Sequence, residues 1–227
     1  LKFRNVLSLF YGISCLQIAL ERAGIPYENY YASEIDQPCI TITQKNYPNT
    51  IQVGNICDLK GSYSLSAKRN LPPDIDLLVG GSPCQGFSFM GKQLNFSDDR
   101  SKLFFEYVRL WKEVRPKYFI LENVKMRKDI QDAVSAILGM QPIEINSALF
   151  SGQNRRRLYW TNIPNVAKNL TQKLGHHALI TGKSLLTDNS YEIATVRKGN
   201  PRQVVKPATD KLPCLTASYY KGINADG

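Results

Sequence analysis

The run Asp76-Leu77-Leu78-Val79-Gly80-Gly81-Ser82-Pro83-Cys84-Gln85-Gly86-Phe87-Ser88 constrains this chain more than any other stretch. Ile75 to Val79 is a short, mostly apolar segment that runs into two glycines, and a cysteine follows beside a proline. A short apolar run bounded by turn residues reads as a strand buried on both faces, which is the environment of a parallel sheet. In such a sheet the carboxyl ends of the strands are where ligands and nucleophiles are placed. Cys84 is therefore read in two ways, as a nucleophile at a strand exit or as a buried cysteine in a turn, since free cysteines commonly fill cores. The run alone leaves both open.

The rest of the chain repeats the theme. Asn5 to Phe10 reads as a buried strand, Tyr11-Gly12 as a turn, and Ile13 to Gly24 as a helix with Ile13, Leu16, Ala19, Leu20 and Ala23 at helical spacing. A second strand, Tyr30 to Glu34, ends in an acid about twenty residues past the first turn, the usual place of a ribose-binding carboxylate. Glu34 also suits the N-terminal end of the next helix, Gln37 to Asn46, where acids complement the dipole. A third strand, Ile51 to Val53, precedes Gly54-Asn55-Ile56, in which Asn55 either meets a base edge or turns the chain. The strand before Cys84 is the fourth, and the long polar stretch Gln85 to Ser101 offers Lys92, Arg100 and Lys102 to phosphates. Leu103 to Val114 is an amphipathic helix closed by Arg115-Pro116. A fifth strand, Tyr118 to Leu121, exits at Glu122-Asn123-Val124 and sets a carboxylate in the same crevice as Cys84. After a helix near Asp129–Leu138 and a strand near Pro142–Asn146 comes Gln153-Asn154-Arg155-Arg156-Arg157. Strand alternation sends Arg155 and Arg157 to one face, as an anion or carbonyl clamp or as a solvated basic edge.

Charge and cysteine usage narrow the class. The 227 residues carry a formal charge of +10, and residues 165–227 hold nine Lys/Arg against four Asp/Glu. This charge is read as a sign of a polyanionic partner, nucleic acid first, or as a generally basic, soluble protein. Five cysteines without C-x-x-C spacing and two adjacent histidines, His176 and His177, argue against a disulfide framework or a metal site. No run of eighteen apolar residues and no signal-peptide core is present, so a soluble, cytoplasmic protein without a membrane partner is expected.

In this order the motifs resemble the DNA (cytosine-5-)-methyltransferase family. Leu9-Phe10-Tyr11-Gly12 resembles its cofactor turn and Glu34 its ribose acid. Pro83-Cys84-Gln85-Gly86-Phe87-Ser88 resembles its nucleophile loop. Glu122-Asn123-Val124 resembles its acid motif, and Gln153-x-Arg155-x-Arg157 its late Q-x-R-x-R strand. The Pro-Cys-Gln-Gly-Phe-Ser form is similar to bacterial and phage members, and phrases such as Ala32-Ser33-Glu34 are also similar to the animal de novo enzymes. The resemblance implies an α/β fold, a Rossmann-like, mostly parallel sheet with helices on both faces, over residues 1–164. It implies an incomplete target-recognition region over residues 165–227. It implies S-adenosyl-L-methionine as cofactor and double-stranded DNA as partner. Cys84 is then the thiolate that attacks carbon 6 of a flipped-out cytosine, Glu122 holds the ring nitrogen and amino group, Arg157 holds the base carbonyl, and Arg155 favours the thiolate. Phe10, Gly12, Ile13, Glu34, Ile35, Asn55, Ile56 and Leu103 are the implied cofactor contacts, and Gln85, Ser88, Lys92 and Arg100 the implied DNA contacts; no metal is implied.

Three departures accompany the resemblance. Ser14 stands where many relatives have a second glycine, and Asn55 stands where an acid commonly meets the adenine amine. Leu212-Pro213-Cys214-Leu215-Thr216-Ala217 resembles the recognition region's Thr-Leu core with Cys214 in place of the threonine, and the family's last motif has no counterpart. The reading implied is a fragment, or a chain whose closing motif comes from a separate segment or chain. The alternatives to an active DNA methyltransferase are a catalytically impaired or truncated relative that binds DNA or a partner, and an RNA cytosine methyltransferase of the same fold.

Overall fold

The computed structural model describes residues 1–61, 69–83, 99–149, 153–169, 193–195, 203–205 and 212–213. It divides into two compact units. The first holds Leu1–Ile143 with Leu158–Pro164, and the second Glu144–Arg157 with Asn165–Gly227.

Strand β1 (Phe3–Leu9) is central: every residue but Arg4 is buried, and both of its faces are covered. It pairs in parallel with β2 (Tyr27–Ser33) on one side and β6 (Leu77–Gly80) on the other. β3 (Ile51–Gln52) adds in parallel to β2, and β7 (Tyr118–Val124) adds in parallel to β6 with Gly80 opposite Leu121. With β8 (Ile143–Asn146) and β10 (Arg156–Thr161) the order is β3-β2-β1-β6-β7-β10-β8. The reversal from leftward to rightward growth falls between β1 and β6, and in an open parallel sheet the crevice at such a reversal is the ligand site.

Alternation along β1 divides the core. Leu7 and Leu9 join Leu78, Phe119, Leu121 and Trp160 in one cluster, under helices α3 (Asp99–Val114) and α4 (Lys128–Leu138). Val6 joins Tyr30, Ala32 and Leu77 in the other, under α1 (Cys15–Arg22), which contributes Leu20. The sheet is thus covered on both faces, as an α/β sheet requires. Each fully buried Leu or Phe contributes about 1.5–3 kcal/mol. Trp160 is fully buried and meets its polar need by donating from Nε1 to Ser135 Oγ at 3.0 Å. α3 stops where expected: Arg115 takes a left-handed φ of 45° and Pro116 cannot continue the helix.

Two sequence expectations change. β2 ends at Ser33, so Glu34 follows the strand instead of closing it. β7 runs on through Glu122-Asn123-Val124, so Glu122 sits within the strand and not in the loop after it. Between β3 and β6, β5 (Arg69–Asn70) adds in parallel to β4 (Leu59–Lys60). α2 (Gln37–Asn46) has the expected bounds. Among the described residues no helix is long and apolar enough to cross a membrane.

In the second unit, β9 (Gln153–Asn154) pairs in parallel with β13 (Leu212–Pro213), and β11 (Ile193–Thr195) pairs antiparallel with β12 (Gln203–Val205). Cys214, which stands in place of the threonine of the Thr-Leu core, lies outside the described residues.

Candidate active site

The exits of β1, β2 and β3 form one end of the site. Leaving β1, the chain takes left-handed backbone at Phe10 (φ 54°), Gly12 (φ 57°) and Ser14 (φ 64°). Phe10 is fixed there by its N–H, which donates to Ser33 O at 2.9 Å. Gly12 presents bare backbone: a Cβ at this position would meet no other atom within 4 Å. The N–H of Gly12 donates to Glu34 Oε2 at 3.0 Å, and Glu34 Oε1 accepts from the N–H groups of Ile35 and Asp36 at 2.8 and 3.1 Å. Three backbone donors thus orient one carboxylate, and Oε2, with a single donor, keeps a free lone pair facing the turn. The bonds of Oε1 go to the residues just before α2 and not to the first N–H groups of the helix, which has no side-chain cap.

Around this carboxylate the surface is unusually apolar for exposed positions. Ile35 is 69% exposed and Ile13 49% exposed, while Phe10 and Leu103 are half-buried against the core. Ser33 Oγ donates to Gly54 O at 2.7 Å and so ties the end of β2 to the end of β3. Asn55 is exposed, and its Oδ1 accepts from Cys57 N at 3.0 Å, capping a 3₁₀ turn over Ile56–Asp58. Ile56 itself is buried and offers only its backbone to a ligand.

Ser14 explains a departure from the family pattern. Its left-handed φ is the conformation glycine adopts without strain. The serine occupies it with a buried hydroxyl that shares a 3.0 Å hydrogen bond with Thr43 Oγ1 of α2.

The exits of β6 and β7 form the other end. A Cβ on Gly80 would lie 2.9 Å from the ring of Tyr107, and a Cβ on Gly81 would lie 2.8 Å from Glu122 Oε2. Glycine at both positions is what lets the ring and the carboxylate lie against this strand exit. Asn123, buried beside Glu122, donates from Nδ2 to both O and Oγ of Ser82 at 3.3 Å, and its Oδ1 accepts from Val124 N at 2.8 Å. This cross-link fixes the chain two residues before Cys84. Asn123 was not singled out in the sequence; its place beside Glu122 in a strand that ends polar was the available signal. Cys84, Gln85, Ser88 and Lys92 lie outside the described residues, and Arg100 is placed in the first turn of α3 without a described side chain.

Arg155 and Arg157 belong to the second unit. Exposure alternates as strand geometry requires: Arg155 and Arg157 are half-buried and Arg156 is exposed. Arg155 N donates to Asn146 Oδ1 at 3.1 Å, Arg157 Nη1 donates to Arg156 O at 2.8 Å, and Arg156 pairs with Glu144 at 2.5 Å.

A cleft of about 790 Å³ opens at the start of β2, between the ends of α1 and α2. It contains none of the residues above, and its polar groups bond one another: Gln17 Nε2 to Tyr27 OH at 3.0 Å, Thr50 Oγ1 to Gln17 Oε1 at 3.2 Å, Tyr47 OH to Glu21 Oε2 at 3.0 Å. The strand exits, with their oriented carboxylates, are the better site.

Known proteins resemble this chain in sequence and fold. A family model described as C-5 cytosine-specific DNA methylase matches residues 4–136. An orphan methyltransferase of Bacillus phage SPR is 39% identical over 166 residues, covering 68% of this chain and 36% of the relative. A type II methyltransferase of Neisseria gonorrhoeae is 33% identical over 177 residues, covering 68% of this chain and 40% of the relative. The chain therefore spans less than half the length of these relatives. A crystal structure described as a candidate DNA modification methyltransferase encoded within a prophage (E. coli) superposes with a TM-score of 0.56 at 25% identity, covering 87% of this chain and 57% of that one. With a match that takes in the turn after β1, Glu34, the Cys84 run and Glu122, the chain belongs to the C-5 cytosine-specific DNA methylase family.

Proposed function

We propose that the chain carries the catalytic half of a reaction that moves a methyl group from S-adenosyl-L-methionine to carbon 5 of cytosine in double-stranded DNA. The single observation that carries the reading is the contact between Gly81 and Glu122: the absent Cβ leaves room for a carboxylate against the strand exit that leads, three residues on, to Cys84.

The residues at the β1–β3 exits fit the cofactor. Gly12 lets a ligand approach the backbone, Glu34 keeps an acceptor for a ribose hydroxyl, and the exposed Ile35 and Ile13 offer apolar cover for an adenine with Phe10. Asn55 and the backbone of Ile56 meet its polar edge, and Leu103 packs beside it. S-adenosyl-L-methionine supplies an electrophilic methyl group on its sulfonium.

Carbon 5 of cytosine is a weak nucleophile. Attack of the Cys84 thiolate on carbon 6 forms a carbon–sulfur bond and moves the ring electrons toward carbon 5, which can then take the methyl. Glu122 holds the ring nitrogen and the amino group and offsets charge that develops as the adduct forms. Arg157 holds the base carbonyl and Arg155 favours the thiolate. The proton on carbon 5 then passes to water, its electron pair restores the double bond between carbons 5 and 6, and the carbon–sulfur bond breaks to return the Cys84 thiolate and release the methylated base. The base must leave the helix stack for any of these groups to reach it. Gln85, Ser88, Lys92 and Arg100 contact the DNA, and residues 165–227 contribute to target recognition over a catalytic domain of residues 1–164.

The test is transfer of labelled methyl to duplex DNA. Cys84→Ser is expected to abolish transfer while leaving S-adenosylhomocysteine binding in place. Equal transfer by both proteins overturns the mechanism.

A further inference from the structure

We propose that Arg109 is a positioning residue for the segment that meets the adenine; the inference rests on the proposed roles of Asn55 and Ile56. Helix α3 grips that segment at both ends. At one end Arg109 Nη2 donates to Ile56 O at 3.2 Å. At the other, Glu113 Oε2 accepts from Gly61 N at 2.8 Å. The two side chains are joined by Arg109 Nη1 to Glu113 Oε1 at 2.9 Å, and Glu106 Oε2 takes Arg109 Nε and Nη2 at 2.8 and 2.6 Å.

The chemistry is more specific than packing requires. Ile56 and Leu59 already anchor the segment from below, with 3% and 0% exposure. A guanidinium held by two carboxylates on its own helix is fixed in direction, and a further N–H, on Nη2, is directed at a main-chain carbonyl. That carbonyl belongs to the first residue of the 3₁₀ turn, next to Asn55, whose Oδ1 and O accept from Cys57 N and Asp58 N at 3.0 Å each. The approach at Gly61 is as close as glycine allows, since a Cβ there would lie 2.9 Å from Glu113 Cβ. Glu106 and Glu113 are at i−3 and i+4 from Arg109, so one face of one helix sets the height and angle at which residues 55 and 56 are presented.

Calorimetric titration with S-adenosylhomocysteine and with S-inosylhomocysteine, which lacks the 6-amino group, reads this directly. The wild-type chain should prefer the adenosyl ligand. Arg109→Met should bind it about tenfold more weakly, as expected for one misplaced hydrogen bond, and should bind the inosyl ligand nearly as before. Arg109→Lys keeps the charge but cannot bridge two carboxylates and a carbonyl, so it should lose the preference too. Amide exchange in the ligand-free protein should quicken at Gly61 and Cys57 in both variants. The inference is overturned if Arg109→Lys keeps the wild-type preference, if both ligands weaken alike, or if exchange at Gly61 is unchanged. Wild-type chain that binds neither ligand, or both equally, overturns instead the cofactor reading on which the inference rests. Should Arg109→Met fail to fold, Arg109→Lys and Glu113→Gln decide the matter by the same readouts.

Discussion

Two strand exits in the first unit solve the same problem by opposite means. The turn after β1 is held by what it bonds. Phe10 and Ser14 adopt left-handed backbone, a conformation that costs a non-glycine residue about 1–2 kcal/mol, and each is kept there by a hydrogen bond to a neighbouring element. The exit of β6 is shaped by what is left out. Gly80 and Gly81 contribute no side chain, and the Tyr107 ring and the Glu122 carboxylate take the space. A binding turn built from strain and hydrogen bonds should respond to mutation in graded steps. An exit built from missing atoms should respond sharply to a single added carbon.

The largest effect is therefore expected at Gly81. Gly81→Ala places a methyl 2.8 Å from Glu122 Oε2, inside any normal contact, so the carboxylate must swing away. Displacement of a reacting group by about 1 Å can cost about 100-fold. Methyl transfer to duplex DNA should fall by that order, while S-adenosylhomocysteine affinity, measured by calorimetry, should stay within about twofold because the β1–β3 exits are untouched. Equal loss of both would show that the two exits are one structural unit and would break the contrast.

Gly80 sharpens the same contrast on stability. The methyl of Gly80→Ala would lie 2.9 Å from the Tyr107 ring and 3.3 Å from Leu9 Cβ. Both neighbours are buried to 1% exposure or less, so neither can step aside into solvent. Overpacking of this kind costs about 1–3 kcal/mol, to be read as a lowered urea midpoint at unchanged slope. An unchanged midpoint would mean that the core above β6 yields easily, and that missing atoms do not define this exit.

How much of this was written in the sequence depends on range. Strand exits were legible because apolar runs, glycines and terminal acids are local signals, and α2 could be bounded at Gln37 and Asn46 from Pro38 and the following polar residues. The continuation of β7 was not legible. Glu122 and Asn123 have weak strand propensity, and it is tertiary bonding, with Leu121 opposite Gly80 and Asn123 tied to Ser82, that holds the chain extended. The spacing of Glu106, Arg109 and Glu113 marks a helix face, yet its partner, residues 56–61, lies about fifty residues earlier and nothing local points to it. Ser14 shows the same limit in one residue. The serine was visible as a departure, but its left-handed backbone and its bond to Thr43 depend on how α1 and α2 meet.

That residue gives the smallest and most discriminating effect. Ser14→Ala keeps the left-handed strain and removes the hydroxyl that shares a bond with Thr43, a loss of about 1 kcal/mol or somewhat more at a buried site. Ser14→Gly removes the same hydroxyl but also relieves the strain at φ 64°. If the turn after β1 is strained and held by its bonds, the glycine variant should be more stable than the alanine variant by about 1 kcal/mol, and close to the wild type. Urea unfolding of the three proteins side by side measures the difference. Equal destabilisation by alanine and glycine would mean that the backbone at Ser14 stores no strain. The serine would then be held only by its hydrogen bond, and the turn after β1 would lose one of the two features that set it apart from the exit of β6.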